Sequence, residues 1–129
     1  MTEDIVLSDL QLDLMRVLWR AGELNVADAT AALADRDLAH TTVATLLTRL
    51  EKRGVVASRR EGRLLVYRPA VTEAQVRRSM VSSLISQVFR GDSKALLAHL
   101  VSEREVAPGD LEQVRALLAR EGEDQGGTR

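Results

Sequence analysis

The chain has 129 residues, enough for one domain or two very small ones, and it contains no cysteine, which excludes disulfides, cysteine-based metal sites and thiol chemistry. No apolar run approaches the roughly 18 residues of a spanning helix, and Met1-Thr-Glu-Asp lacks a signal peptide's basic start and apolar core, so a cytoplasmic location without membrane insertion is expected. The formal net charge of −1 hides an asymmetry: from Ala39 to Pro69 seven basic residues stand against two acidic ones, a local +5 that leaves −6 for the remainder.

Ser8 followed by Gln11 matches a capping box at the head of a periodic run, Leu10, Leu14, Val17 and Leu18, which Gly22 can end. Asn25 is an N-cap for a short helix through Ala34 with small packing residues Ala29, Ala32 and Leu33. A polar break at Asp35 to Asp37 precedes a third helix, His40 to Gly54, with two unlike faces. Val43, Leu46, Leu47 and Leu50 form one apolar stripe. Thr41, Thr45, Thr48 and Lys52 fall on another side, flanked by Thr42, Arg49 and Arg53. The period then becomes strand-like in Val55–Arg60 and Arg63–Arg68 around a Glu61-Gly62 turn, and Pro69 stops the second strand. Three helices and a β-hairpin with a basic tip describe a winged helix-turn-helix over residues 1–70.

Residues 71–121 read as a second, three-helix unit. Thr72 and Gln75 make another capping box; Val76, Met80, Val81, Leu84, Ile85, Val88 and Phe89 form a broad apolar face. Asp92 or Ser93 caps a shorter helix, and Pro108 fits the first turn of a third. So small a unit buries too little apolar surface to stand comfortably alone. A homodimer resolves this, with Met80, Leu84, Ile85, Val88, Leu96, Leu97, Leu100, Leu111, Val114 and Leu118 as the candidate interface. From Gly122 the polar tail, residues 122–129, is expected to be disordered. The fold class is mainly α with a small β-hairpin.

The third helix carries short hydroxyls near its start and cations near its end, a pattern suited to a DNA groove. Thr41, Thr42, Thr45 and Arg49 are the candidate base readers, with N-capping the plainer reading of Thr41 and a phosphate favoured over a guanine edge for Arg49. His40, Lys52, Arg53, Arg59, Arg60, Arg63 and Tyr67 are the candidate backbone and wing contacts; edge-strand charge and core packing are the plainer readings of the arginines and Tyr67. Trp19 reads as core. Three aromatics in all are poor material for stacking on single strands. Ser82, Ser83 and Ser86 lack a His/Asp partner order, no glycine-rich phosphate loop is present, and two histidines do not make a metal site. No enzyme, metal or cofactor is expected.

The run Thr41-Thr-Val-Ala-Thr-Leu-Leu-Thr-Arg-Leu-Glu-Lys-Arg-Gly54, the hairpin ending Tyr67-Arg-Pro69, and Leu14-Met-Arg-Val-Leu-Trp19 together resemble the penicillinase-repressor (BlaI/MecI-type) family over residues 8 to about 120. The resemblance implies a dimeric repressor of antibiotic-resistance or stress genes that binds double-stranded DNA at a palindromic operator. It also implies release when a membrane-bound metalloprotease sensor acts in trans to trigger cleavage in the C-terminal helices. Staphylococcal members are cut at an Asn-Phe bond, and the matching position here is His99-Leu100. The cysteine motif of the copper-responsive branch is absent. A ligand-sensing repressor and a winged-helix protein-interaction module are the competing readings.

Overall fold

The computed structural model describes residues 5–127, with side chains described through residue 121. The segment Met1–Asp4 and the last two residues of the tail lie outside these. In chain order the elements are α1 (Asp9–Ala21), β1 (Leu24–Asn25), α2 (Val26–Ala32), a 3₁₀ turn (Ala34–Arg36), α3 (His40–Lys52), β2 (Val56–Glu61), β3 (Leu64–Pro69), α4 (Glu73–Val88), α5 (Ser93–Ser102) and α6 (Asp110–Gly127). The chain forms two compact units that divide after Leu84.

The first unit is a winged helix-turn-helix. The capping box at α1 forms in both directions, Gln11 N–H donating to Ser8 Oγ at 3.2 Å and Ser8 N–H to Gln11 Oε1 at 2.9 Å. Gly22 closes the helix with φ 90°, a conformation that penalises a Cβ. Asn25 caps α2 through Asp28 N–H at 2.8 Å. Leu14, Met15 and Leu18 of α1 meet Val43, Leu47 and Leu50 of α3 in a fully buried core, joined by Val55, Val56 and Val76. Position by position, the 3.6-residue spacing of these leucines and valines is what gives α1 and α3 their single buried stripes.

Three features depart from the sequence expectations. The sheet has three strands in the order β1-β3-β2, because Leu24 and Asn25 pair antiparallel with Tyr67 and Val66. The hairpin turn lies one residue later than expected: Glu61 pairs with Leu64, leaving Gly62-Arg63 as the two-residue loop, with Gly62 at φ 62° in the first loop position. The first unit also extends past residue 70 to Leu84. Trp19 Nε1 donates to Val71 O at 2.9 Å, Val76 is 1% exposed, and Met80 packs against the same core. Met80 therefore also serves the core of the winged helix.

An ion cluster fixes the turn that leads into α3. Asp13 on α1 sits 2.8 Å from Arg16 Nη1 and 2.6 Å from Arg36 Nη2, and Arg36 lies 3.6 Å from Asp9. The hydrogen bond from Arg36 is the main cause holding the Asp13 carboxyl below its ordinary 3.8, against partial desolvation that raises it. A depressed carboxylate stabilises the fold at pH above its unfolded value, and that contribution is lost as pH falls through the lower folded value. The urea midpoint of the wild type is thus expected to fall more steeply than that of Asp13→Asn as pH drops from about 5 to about 3. Parallel midpoints would remove the cluster as a source of stability.

The second unit contains the end of α4, α5 and α6. Asp92 Oδ1 caps α5, accepting from Lys94 N–H at 3.1 Å and Ala95 N–H at 3.2 Å. Phe89 and His99 meet edge to face with centroids 6.0 Å apart. Pro108 stands in the turn ahead of α6 and not in its first helical turn, where Asp110 Oδ2 instead accepts from Ala107 N–H at 2.6 Å. The backbone of α6 continues to Gly127, past the Gly122 at which disorder was expected. Among the described residues from Ile85 onward, no hydrophobic side chain is buried.

Candidate nucleic-acid interface

The core presses one face of α3 inward and leaves the other to solvent. Val43, Leu47 and Leu50 are buried, while His40, Thr41, Thr42, Thr45, Arg49 and Lys52 are exposed. Thr41, Thr42, Thr45, Leu46 and Arg49 line one shallow cleft of about 250 Å³. Helical geometry makes this grouping unavoidable, since positions 41, 42, 45 and 49 are separated by three or four residues or adjoin one that is.

The start of α3 is unusual for a surface helix. Its N-cap is Ala39, without a side-chain capping bond, and no acidic residue occupies the first turn. Thr41 is therefore inside the helix and does not cap it. Among the described residues no hydrogen bond engages the hydroxyls of Thr41, Thr42 or Thr45, whereas Thr48 Oγ1 donates back to Ala44 O at 2.9 Å. The helix end thus presents backbone N–H groups and the positive end of its dipole to solvent, a favourable setting for an anion. Cations Arg49 and Lys52 sit in the last turn, where they complement the opposite end.

The hairpin is fastened to α3 and to β1. Ser58 Oγ on β2 donates to Glu51 Oε2 on α3. Arg59 is held on two sides: its Nε lies 3.3 Å from Glu23 Oε2, and its Nη2 lies 2.9 Å from Glu61 Oε2. The hydrogen bond from Arg59 is the main cause that lowers the Glu23 carboxyl, and the same bond raises the Arg59 guanidinium.

These contacts re-sort the expected phosphate contacts. Arg60 and Arg63 are exposed at the hairpin tip with no ion pair or hydrogen bond among the described residues, as are Arg49 and Lys52 on α3. Arg59 is committed to Glu23 and Glu61. Arg53 Nη2 donates to Val6 O at 3.0 Å and so pins the segment before α1. Tyr67 is 3% exposed and belongs to the core. Glu23, which decides the state of Arg59, carried no sequence signal: it lies 36 residues from its partner, beside a strand only two residues long.

Among the described residues, no group of His, Asp or Glu is placed to hold a metal ion, and no helix is long and apolar enough to cross a membrane. What the site offers is a row of free hydroxyls with four free cations on one helix and one hairpin. That set can hydrogen-bond base edges and phosphates.

The penicillinase repressor family matches residues 7–120. The methicillin resistance regulatory protein MecI of Mammaliicoccus sciuri is 23% identical over 115 residues, which cover 87% of this chain and 92% of that relative. The penicillinase repressor of Bacillus licheniformis is 22% identical over 113 residues, covering 87% of this chain and 88% of that one. The solution structure of the DNA-binding domain of the repressor BlaI is 30% identical, with a TM-score of 0.51, and covers 58% of this chain and 93% of its own.

Proposed function

The chain belongs to the penicillinase repressor family of DNA-binding transcriptional repressors, and we propose that it is a homodimer that occludes a promoter by binding an inverted-repeat operator. The observation that carries this reading is the outward face of α3, where Thr41, Thr42 and Thr45 keep their hydroxyls unbonded beside Arg49. The threonines supply specificity through base edges and thymine methyls. Arg49, Lys52, Arg60 and Arg63 supply most of the affinity through phosphates, and His40 lies where the uncapped helix end can meet one more.

Dimerisation is supported by the second unit, which buries no hydrophobic side chain of its own among the described residues. Leu97, Leu111, Val114, Leu117 and Leu118 are each about half exposed or more. Leu84 and Val88 are exposed too, and Ile85, Leu96 and Leu100 are half-buried. A second copy placed by two-fold symmetry covers such faces without any new partner.

The names of the relatives point to antibiotic-resistance genes as the regulated class, with stress genes the broader alternative. Release by proteolysis at His99-Leu100, triggered by a membrane-bound metalloprotease sensor, has one structural condition. The bond lies inside α5, where His99 O accepts from Glu103 N–H at 2.9 Å and Leu100 O from Glu105 N–H at 2.9 Å. A protease must therefore unwind the helix first, and a helix that buries no residue opens cheaply. The ligand-sensing reading has as a candidate a recess of about 190 Å³ lined by Leu12, Trp19, Val76 and Met80.

Selection of duplexes from a random pool by the purified chain tests the proposal. The expected product is an inverted repeat with half-sites about one or two helical turns apart, bound by a species that sediments as a dimer at micromolar concentration. Thr45→Ala is expected to change the ratio of affinities for selected and scrambled duplexes. An unchanged ratio removes Thr45 as a reader, and a monomer in sedimentation removes the paired half-sites.

A further inference from the structure

The tip of the hairpin carries two leucines where a phosphate-binding wing needs only cations. Leu64 is 53% exposed and Leu65 is 39% exposed, directly after the Gly62-Arg63 turn. The register separates them onto opposite faces. Leu65 pairs with Arg60 and shares its side of the sheet with Ser58 and Tyr67, while Leu64 pairs with Glu61 on the other side. Because Ser58 hydrogen-bonds to Glu51 of α3, the Leu65–Arg60 face is the one turned toward α3. The tip is thus an apolar blade, with Arg60 and Arg63 unpaired beside it.

Resting on the DNA-binding reading above, we propose that Leu64 and Leu65 form a wedge that enters the minor groove next to each half-site, parts one base step and bends the operator. The flanking cations Arg60 and Arg63 select an anionic partner, and an apolar side chain carried into the minor groove gains cover where a base step opens to receive it. The dimensions require deformation. Two strands lie roughly 4.8 Å apart before their side chains are counted, and an undistorted minor groove is only about 6 Å wide. A kink toward the major groove opens the minor groove and admits the leucines. The cost of the kink depends on the sequence beneath it, so the wedge reads DNA without a hydrogen bond and favours flexible pyrimidine–purine steps such as TA or CA.

The test uses the full chain and a duplex recovered by the selection described above, labelled at both ends for energy transfer and carrying 2-aminopurine in the half-site flanks. The wild type is expected to bend the duplex by about 20–90° and to raise 2-aminopurine fluorescence at one step per half-site. Leu64→Ser/Leu65→Ser is expected to abolish both signals and to weaken binding on the order of ten-fold, with the salt slope unchanged. Arg60→Ala/Arg63→Ala is expected to do the reverse, lowering the salt slope by about four per dimer. Both leucines are exposed, so the serine variant should melt with the wild type; Leu64→Ser alone, a smaller change, repeats the measurement if it does not. A straight wild-type complex overturns the wedge, as does a bend retained in the serine variants. So does loss of self-association by those variants without DNA, which would assign the leucines to a protein contact. If no duplex is recovered, the repressor reading falls and the wedge with it; if one is recovered but stays straight, only the wedge falls.

Discussion

Changing Lys52, Arg60 and Arg63 together to alanine is expected to lower duplex affinity about 10³- to 10⁴-fold near 0.15 M salt. These are cations that the fold leaves without a carboxylate among the described residues. In a dimer the triple variant removes six of them, and each phosphate neutralised contributes about 0.9 to the slope of log affinity against log salt. The slope should therefore fall by about five. Selected and scrambled duplexes should lose affinity alike, since phosphate contacts carry no sequence. Filter binding at several salt concentrations decides the matter: a slope that stays at the wild-type value would show that other groups meet the phosphates. Arg59→Ala, by comparison, should change the slope little, because Glu23 and Glu61 already occupy its guanidinium.

The second large effect concerns the platform itself. Leu47 is fully buried on α3, midway between Val43 and Leu50. Leu47→Ala deletes three carbons from a packed core and is expected to cost about 2–5 kcal/mol. A domain of this size has about 5–15 kcal/mol in all, and each kcal/mol moves its melting temperature by roughly 4–8 °C. A fall of at least about 10 °C in a circular-dichroism melt is the expected reading, with DNA binding lost above the new midpoint and retained well below it. A shift of only a degree or two would mean that the core relaxes around the gap. Leu46, half-buried at the edge of the threonine cleft, should cost less stability on truncation and more specificity.

The parts legible in the sequence were those fixed by neighbours three or four residues apart. Both capping boxes, the Asn25 cap and the Asp92 cap are signals of that range, and α3 was readable because its buried stripe repeats every turn. What escaped depends on distant pairing. Strand β1 has two residues and no period to detect; it exists because β3 offers it an edge. That same strand makes β3 the central one, so Val66 and Tyr67 are both buried and the two-residue alternation that distinguishes inside from outside fails there. Tyr67 was consequently open to a phosphate reading, while its ring belongs to the core. Arg53 and Arg59 look identical to Arg60 and Arg63 in the chain; the distant carbonyl of Val6 sets the first apart, and the carboxylates of distant Glu23 and neighbouring Glu61 the second.

The clamp on Arg59 has a kinetic meaning for a protein that must find one operator among a genome of near-identical phosphates. Every free cation lengthens each stop on irrelevant DNA, because non-specific complexes are held almost entirely by phosphate contacts. In the proposed dimer, tying up one arginine per wing takes about two contacts away on random sequence. That shortens each idle residence without touching the α3 hydroxyls proposed to read the destination. On the proposed reading, Glu23 governs how fast the protein searches, while the threonines govern where it stops.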